Sequence, residues 1–285
     1  MTDRFLMCPP NHFEVAYVIN PWMEGNIALG SNDIATRQWE ALARLIGQVA
    51  RVERMTPAAG VPDMVFTANA GLILGDKCVL SRFRHPERQA EEPHFGAWFR
   101  ENGFDVLELP PDMVFEGAGD ALLDRGEPLL WLGHGHRSTL ECVPLLKEFL
   151  GIEIEPLRLV DERFYHLDTC LCPLEGGYLM YYPAAFDAES QARIMARVPA
   201  DRRIAVGHAD AHDFACNAVN SAGTVFMNRA SKGLVRELQS RGFNVKQTPL
   251  TEFMKAGGSA KCLTLKLTED RQSPDAGNLD ARSVA

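Results

Sequence analysis

The chain has 285 residues, 46% of them hydrophobic, and its 29 basic and 38 acidic side chains give a formal net charge of −9. This length is compatible with one large domain or two ordinary ones. The acidic balance, without a basic stripe, argues against nucleic acid and anionic membranes as partners. No apolar run resembles a signal peptide or approaches the roughly 20 residues of a membrane span, so we expect a cytoplasmic protein.

The seven cysteines suggest neither a disulfide framework nor a metal site. An odd number without a signal peptide indicates reduced thiols. The sequence contains no CxxC pair, and no set of Cys and His has the spacing of a zinc site, so we expect no metal. Cys170 and Cys172 alternate within a predicted strand, which places both side chains on one face and favours a structural role for them.

The first predicted element of length is a helix, because apolar residues recur at helical spacing from Ala35 to Ile46, after cap candidates at 31–33. Three later helical patterns each end at a glycine, which we interpret as a left-handed C-cap. A short alternating strand follows each of these glycines. They are Gly103, Gly151 and Gly242.

A repeat runs along the chain. A phenylalanine inside a polar, loop-like motif recurs at spacings of 49, 49, 50 and 39 residues. These residues are Phe66, Phe115, Phe164, Phe214 and Phe253. A period near 50 predicts repeated ββαβ units closed in a ring, which is an α/β, five-bladed, pseudo-symmetric propeller. We expect residues 1–268 to form this single catalytic domain, and 269–285, which lack periodicity, to be a disordered tail.

Equivalent positions in such a ring point toward a common axis. The polar residues that follow the five phenylalanines are Asn69, Glu116 with Asp120, His166 with Asp168, Asn217, and Cys262. Taken singly, each has a structural explanation: a core cysteine, a satisfied buried histidine, carboxylates that cap turns. Their shared register favours a site instead. The roles of Asp120, as turn or site residue, and of Asn217, which resembles a loop-bonding amide, remain open.

This set suits one kind of chemistry. A cysteine needs a base or a cation nearby to become a thiolate, and His166 can transfer protons near neutral pH. Two carboxylates, Glu116 and Asp168, match a planar, forked guanidinium. The cation would also stabilise a neighbouring thiolate. Attack by sulfur on the central guanidinium carbon gives a tetrahedral adduct, which needs a proton donor to lose ammonia.

The motifs "HLDT" at 166–169, "FEGAGD" at 115–120 and the late "GGSAKCLTL" resemble those of the guanidine-modifying superfamily. This superfamily comprises arginine deiminases, dimethylarginine hydrolases and amidinotransferases, all five-bladed α/β propellers. The resemblance implies that Cys262 is the nucleophile and His166 the general acid and base, while Glu116 and Asp168 hold the guanidinium. It implies no cofactor.

Two arginines are implied to meet the substrate carboxylate. The segments "LSRFRHPER" and "GHGHRST" resemble family segments that carry such arginines, which gives Arg82 and Arg137. The alternative for either is a surface ion pair, which contributes little to stability.

A narrower resemblance concerns the stretches "CPPNHFEVAYVINPWM" and "DMVFTANAGLILGDKCVLSRF", which are similar to those of arginine dihydrolases. In that group Asn69 stands where other members carry an aspartate, and Asn20 lies at the substrate. The implied reaction converts arginine to ornithine, two ammonia and carbon dioxide. An amide suits the neutral ureido group of citrulline, because it can donate to the ureido oxygen and accept from its nitrogens.

Alternative functions remain at this stage. An arginine deiminase or dimethylarginine dimethylaminohydrolase would stop at citrulline, and an amidinotransferase would pass the amidino group to an amine. A non-catalytic propeller that senses arginine is a different class, but a sensor needs no thiol. In every case the partner is a small guanidine. The sequence leaves open the preference among methylated arginines and whether the chain forms a homo-oligomer.

Overall fold

The computed structural model describes residues 2–269, and within them the strands form five sheets of three strands each. The strands are β1 Arg4–Met7, β2 Arg51–Arg54, β3 Gly71–Leu74, β4 Lys77–Leu80, β5 Asp105–Leu107, β6 Ala121–Leu123, β7 Leu129–His134, β8 Glu153–Arg158, β9 Leu171–Leu174, β10 Tyr178–Tyr181, β11 Arg203–Ala205, β12 Val219–Ser221, β13 Thr224–Met227, β14 Asn244–Gln247 and β15 Leu265–Lys266.

Every sheet has the same construction. Its central strand pairs antiparallel with one neighbour and parallel with the other, as in β3–β4–β5. A helix connects the two parallel strands. The α-helices are α1 Asn32–Ile46, α2 Pro86–Gln89, α3 Glu92–Glu101, α4 Val143–Leu150, α5 Ala188–Arg197, α6 His208–His212, α7 Lys232–Ser240 and α8 Thr251–Met254. The predicted ββαβ unit and the five-bladed α/β propeller are confirmed.

The ring closes by pairing the two ends of the described chain. Strand β1 pairs antiparallel with β15 and parallel with β2, so the fifth sheet combines N-terminal and C-terminal residues. The first strands of the sheets contact one another around the ring, β15 with β3, β6 with β9, and β9 with β12. These strands therefore surround the axis, and the residues just before them lie at its end.

Local sequence explains the boundaries of the elements. Ser31 caps α1 by accepting a hydrogen bond from the Ile34 amide, and the helix buries Trp39 and Leu42 on its inner face. Gly151 follows α4 with φ of 66°, in the left-handed region that glycine adopts without strain. The same holds for Gly103 and Gly242, at 83° and 89°. Within residues 2–269, no helix is both long and apolar enough to span a bilayer.

Short 3-10 turns precede three of the first strands and carry the polar motifs. They are Thr67–Ala70, Gly117–Gly119 and Leu167–Thr169, and the second packs against both of the others. The motif phenylalanines, such as Phe115 and Phe164, are buried and anchor these turns to the blades. The polar side chains of these three turns therefore lie close together at one end of the ring axis.

The predicted tail begins at Glu269, which is the last described residue. Its carboxylate Oε1 lies 2.7 Å from Arg125 Nη2, and its carbonyl accepts a hydrogen bond from the Gly75 amide at 2.6 Å. The packed chain thus extends one residue past the predicted boundary at 268. Residues 270–285, for which disorder is predicted, lie outside the described residues.

Candidate active site

Cys262 lies in the turn between α8 and β15, with its side chain 2% exposed. Its thiol donates to Asp168 Oδ2 at 3.3 Å and accepts a hydrogen bond from Asn217 Nδ2 at 3.0 Å. The Cys262 amide donates to Asn217 Oδ1 at 3.2 Å, and its carbonyl accepts from Ala68. Side chains and backbone from several blades therefore fix the position of this sulfur.

His166 is paired with Glu116, and both side chains are buried. His166 Nε2 lies 2.6 Å from Glu116 Oε2. A carboxylate only accepts hydrogen bonds, so Nε2 carries the proton here and proton transfer to a ligand falls to Nδ1. This close packing needs Gly119, since a Cβ at that position would collide with Asn69 and come within 3.4 Å of the imidazole ring.

Protein groups bind both carboxylate oxygens of Glu116. Its Oε1 accepts from the Arg84 amide at 3.1 Å, and its Oε2 accepts from Arg137 Nη1 at 3.2 Å as well as from His166. Burial alone would raise the pKa of this carboxyl, but the Arg137 charge and the His166 hydrogen bond outweigh it and hold the pKa well below its usual range. Glu116 thus orients His166 and Arg137, and contact of this carboxylate with a guanidinium stays a prediction.

Asp168 is the carboxylate that faces the sulfur. Burial raises its pKa to about 6, and the Lys261 charge opposes that shift. The pKa of Cys262 is raised well above its ordinary value, first by burial and then by the Asp168 charge. Both effects favour the neutral thiol of Cys262 over its thiolate. A cation held by Asp168 beside the sulfur would remove that repulsion and favour the thiolate.

A pocket opens in front of Cys262. Its lining comes from the N-terminal loop, the turn before β3, helix α2 and the segment after α8. It comprises Ile19, Asn20, Met23, Asp63, Phe66, Asn69, Arg88, Arg137, Tyr165, Ala256, Gly258 and Cys262. Arg137 stacks on the Tyr165 ring at 4.5 Å and donates to the Ile19 carbonyl at 2.7 Å. Asn20 is held by the Ala256 carbonyl at 3.1 Å.

Six of the eight predicted site residues line the pocket or form hydrogen bonds with its lining, and His166 joins them through its hydrogen bond to Glu116. Arg82 does neither. Its side chain is 35% exposed, lies 4.0 Å from Glu92, and is not among the described residues that line the pocket. Arg88, in the same quoted segment, takes the inward position and is buried. Helix α2 begins at Pro86, and its turn directs Arg88 inward.

Sequence reasoning also missed Asp63 and Tyr165. Asp63 is the first residue of the quoted stretch "DMVFTANAGLILGDKCVLSRF", so a signal was present. Its Oδ2 accepts from the Tyr17 hydroxyl at 2.9 Å, whereas Oδ1, although buried, has no partner within residues 2–269. Burial raises the pKa of this carboxyl. An unpaired buried oxygen at a pocket wall suits a ligand ammonium.

Asp120 and Asn217 have different hydrogen-bond partners in the structure. Asp120 accepts the Ser138 amide at 3.0 Å and the Leu167 amide at 3.1 Å, which ties the "GHGHRST" and "HLDT" segments together. Asn217 is a site residue, since it bonds both the sulfur and the backbone of Cys262. Among residues 2–269, no group of three or more His, Cys, Asp or Glu is arranged to hold a metal ion.

Comparison with known proteins identifies the family. Residues 29–269 match the model of "N,N dimethylarginine dimethylhydrolase, eukaryotic". The N(G),N(G)-dimethylarginine dimethylaminohydrolase of Mycobacterium tuberculosis is 39% identical over 267 residues, which are 93% of this chain and 86% of that protein. The bifunctional arginine dihydrolase/ornithine cyclodeaminase AgrE of Nostoc sp. is 59% identical over 266 residues, but this chain spans only 38% of its length.

Solved structures agree with this assignment. The N-terminal domain of ArgZ, an arginine dihydrolase from cyanobacteria, in a cysteine-to-serine variant bound to substrate, has a TM-score of 0.94 and 58% identity. That match covers 95% of this chain and 100% of the ArgZ domain. An asparagine-to-serine variant of the same domain, covalently bound to a reaction intermediate, has the same TM-score of 0.94. The chain belongs to the dimethylarginine dimethylaminohydrolase family, within the guanidine-modifying superfamily.

Proposed function

We propose that this protein is a cysteine-dependent arginine dihydrolase, which converts L-arginine and two water molecules to ornithine, two ammonia and carbon dioxide. The observation that carries this proposal is the pairing of Cys262 with Asp168 in a pocket whose remaining polar wall includes an amide, Asn69, in place of a carboxylate. The similarity to AgrE and to the ArgZ domain supports it. We propose that residues 1–268 act as one catalytic domain, which the pairing of β1 with β15 supports.

The first half of the reaction uses the thiol. Asp168 holds the guanidinium beside Cys262, the thiol releases its proton to solvent, and the sulfur attacks the guanidinium carbon. The tetrahedral adduct expels ammonia, to which His166 supplies a proton, and a thiouronium-type intermediate remains on the sulfur. His166 then takes a proton from water, which attacks the same carbon. Collapse of this adduct breaks the C–S bond, returns the thiol and leaves citrulline in the pocket.

The second half repeats these steps on the ureido carbon of citrulline. Sulfur attack expels the second ammonia and leaves a thiocarbamate on Cys262, which a second water molecule hydrolyses to the thiol and the carbamate of ornithine. The carbamate then breaks its C–N bond to give carbon dioxide and ornithine. This half requires that neutral citrulline stays bound, for which an amide is better suited than a third carboxylate. We further propose that Asp63 binds the α-ammonium and Arg88 or Arg137 the α-carboxylate, because all three side chains belong to the pocket lining. All seven cysteines are free, which is consistent with action in the cytoplasm.

Product analysis tests the proposal. Purified protein is incubated with L-arginine, and ammonia, citrulline and ornithine are quantified. We expect two ammonia and one ornithine for each arginine, and we expect citrulline alone to be hydrolysed. One ammonia and one citrulline per arginine would replace the dihydrolase with a deiminase.

A second candidate function is hydrolysis of dimethylarginine, which the family match and the Mycobacterium tuberculosis relative favour. An assay with dimethylarginine as substrate separates the two candidate functions, because a dimethylarginine hydrolase would release dimethylamine and citrulline. A higher kcat/KM for dimethylarginine than for arginine would establish this second function.

Arg137→Ala should weaken binding of arginine far more than binding of agmatine, which lacks the carboxylate. Loss of a hydrogen bond to a charged group costs about 1.5–3 kcal/mol. Arg137 also bonds Glu116, so kcat should fall for both ligands, and the ratio of their KM values isolates the carboxylate contact. Equal changes of KM for arginine and agmatine would show that Arg137 does not bind the carboxylate.

A further inference from the structure

Glu91 is a fully buried carboxylate that no step of the proposed mechanism uses. It lies between α2 and α3 and binds Arg88 in a bidentate pair, with Oε1 2.8 Å from Nε and Oε2 2.8 Å from Nη2. Two parallel hydrogen bonds between planar groups fix the guanidinium in one orientation. Glu91 is not among the described residues that line the pocket, whereas Arg88 is.

The rest of the Arg88 guanidinium is also engaged. Nη2 donates to the Asp63 carbonyl at 3.3 Å, and the guanidinium stacks on the Phe83 ring at 4.4 Å. Nη1 donates to Asn69 Oδ1 at 2.9 Å. The charged groups around this pair are the Asp63 carboxylate, 4.0 Å from Nε, and Glu116 beyond it. Arg88 is therefore a rigid link from Glu91 to Asn69.

This link decides which way the Asn69 amide faces. Arginine has only donors, so the atom that meets Nη1 must be the amide oxygen. If the amide flipped, its NH₂ group would face Nη1 and the hydrogen bond would be lost. Nδ2 lies on the other side, 3.4 Å from the Glu116 carbonyl, and Asn69 lines the pocket. One N–H of Nδ2 is used in this bond, so the second N–H is the donor that Asn69 can offer to a bound substrate.

A donor at this position distinguishes the two substrates of a dihydrolase. The guanidinium of arginine carries only N–H groups at its reacting end, so it cannot accept a hydrogen bond from the Asn69 N–H. The ureido group of citrulline carries a carbonyl oxygen, which can accept from Asn69 Nδ2. The orientation of one amide therefore favours retention of citrulline over its release.

We propose that Glu91 is a positioning residue for the second hydrolysis: through Arg88 it holds the Asn69 amide with its remaining N–H available to the ureido oxygen of citrulline. This inference rests on the proposed dihydrolase function. Glu91, Arg88 and Asn69 then decide together whether citrulline is released or hydrolysed to ornithine. Of the three, only Asn69 is a candidate for contact with the reacting group.

The test compares Glu91→Gln with Glu87→Gln, which removes the same charge from an exposed position on α2. Glu91→Gln leaves Arg88 with one acceptor in place of two and loosens its hold on Asn69. We expect a roughly 10-fold fall in kcat/KM for citrulline relative to that for arginine, which is the low end for a hydrogen bond to a charged group. Citrulline should accumulate during arginine turnover. Glu87→Gln should match the wild type.

The ratio of the two substrates separates positioning from general damage. Arginine and citrulline share the α-amino and α-carboxylate groups. A change in how Arg88 contacts those groups therefore alters both kcat/KM values equally and leaves their ratio unchanged. In an Asn69→Ser background the amide is absent, and Glu91→Gln should then leave the ratio unchanged. A folded Glu91→Gln variant with the wild-type ratio would overturn the proposal, as would an equal shift in the Asn69→Ser background.

A second variant covers the case in which Glu91→Gln does not fold. Glu91→Asp keeps the charge on a side chain that is one methylene shorter. It should lower the ratio of kcat/KM for citrulline to kcat/KM for arginine by a smaller factor, while circular dichroism reports a native fold. An unchanged ratio in Glu91→Asp would then overturn the proposal. Failure of the dihydrolase function is seen separately, because the wild type itself would stop at citrulline.

Discussion

Replacement of Cys262 with serine should abolish turnover of arginine and leave the fold intact. The sulfur is the buried nucleophile candidate that contacts both Asp168 and Asn217, and a serine hydroxyl has no accessible anionic form at this position. We expect kcat to fall by at least about 1,000-fold, since removal of a covalent nucleophile costs up to roughly a million-fold. Steady-state ammonia release measures the loss, and isothermal titration should still detect arginine binding.

Cys142→Ser is a matched control. Cys142 is also buried, and its thiol already donates to the Thr139 carbonyl at 2.9 Å, a bond that a serine hydroxyl can make. This variant should retain activity. Substantial ammonia release by a clean preparation of Cys262→Ser would remove Cys262 from the role of nucleophile.

The free thiol should also be slow to react with a neutral alkylating agent. Because burial and the Asp168 charge raise the pKa of Cys262 well above its usual range, the thiolate fraction of the empty enzyme is small at pH 7 and rises with pH. Inactivation by iodoacetamide should therefore accelerate continuously as the pH increases beyond 9. A rate that reached its plateau below pH 8 would mean that the thiol is already ionised without substrate.

The ring and its register could be predicted from sequence because the repeat is carried by local signals. Buried phenylalanines such as Phe115 and Phe164 recur at nearly constant spacing, and polar side chains come soon after each of them. In a closed ring, equivalent parts of the repeat lie around one axis. The contact of Cys262 with Asp168, from different blades, follows from that register.

The errors concern side-chain direction within a segment. Arg82 and Arg88 lie in one quoted stretch, and only the phase of α2, which begins at Pro86, turns Arg88 inward. The sequence also does not reveal the partners of Glu116, because they come from elsewhere in the chain: the amide of Arg84 and the side chain of Arg137. Such long-range pairing leaves no local pattern. Asp63 has a motif, but its unpaired oxygen is visible only in three dimensions.

Asn69→Asp should convert the product from ornithine to citrulline, with one ammonia released per arginine in place of two. The carboxylate would sit 2.9 Å from Arg88 Nη1, where the amide oxygen lies now, so the new charge is partly neutralised. The decisive change is the loss of N–H donors, because a carboxylate can only accept. The guanidinium of arginine is compatible with this acceptor, whereas the ureido oxygen of citrulline is repelled by it. Ammonia and amino-acid quantification during arginine turnover measures the switch.

Two variants identify the cause and provide the control. Asn69→Ser removes the amide without adding a charge, so citrulline should accumulate there too if the lost donor is responsible, and only in Asn69→Asp if the charge is. Asn102→Asp, at the exposed end of α3, adds the same charge away from the pocket and should keep the wild-type stoichiometry. If Asn69→Asp still released two ammonia per arginine without citrulline build-up, Asn69 would not determine the product. The positioning role of Glu91, which acts through Asn69, would then be overturned as well.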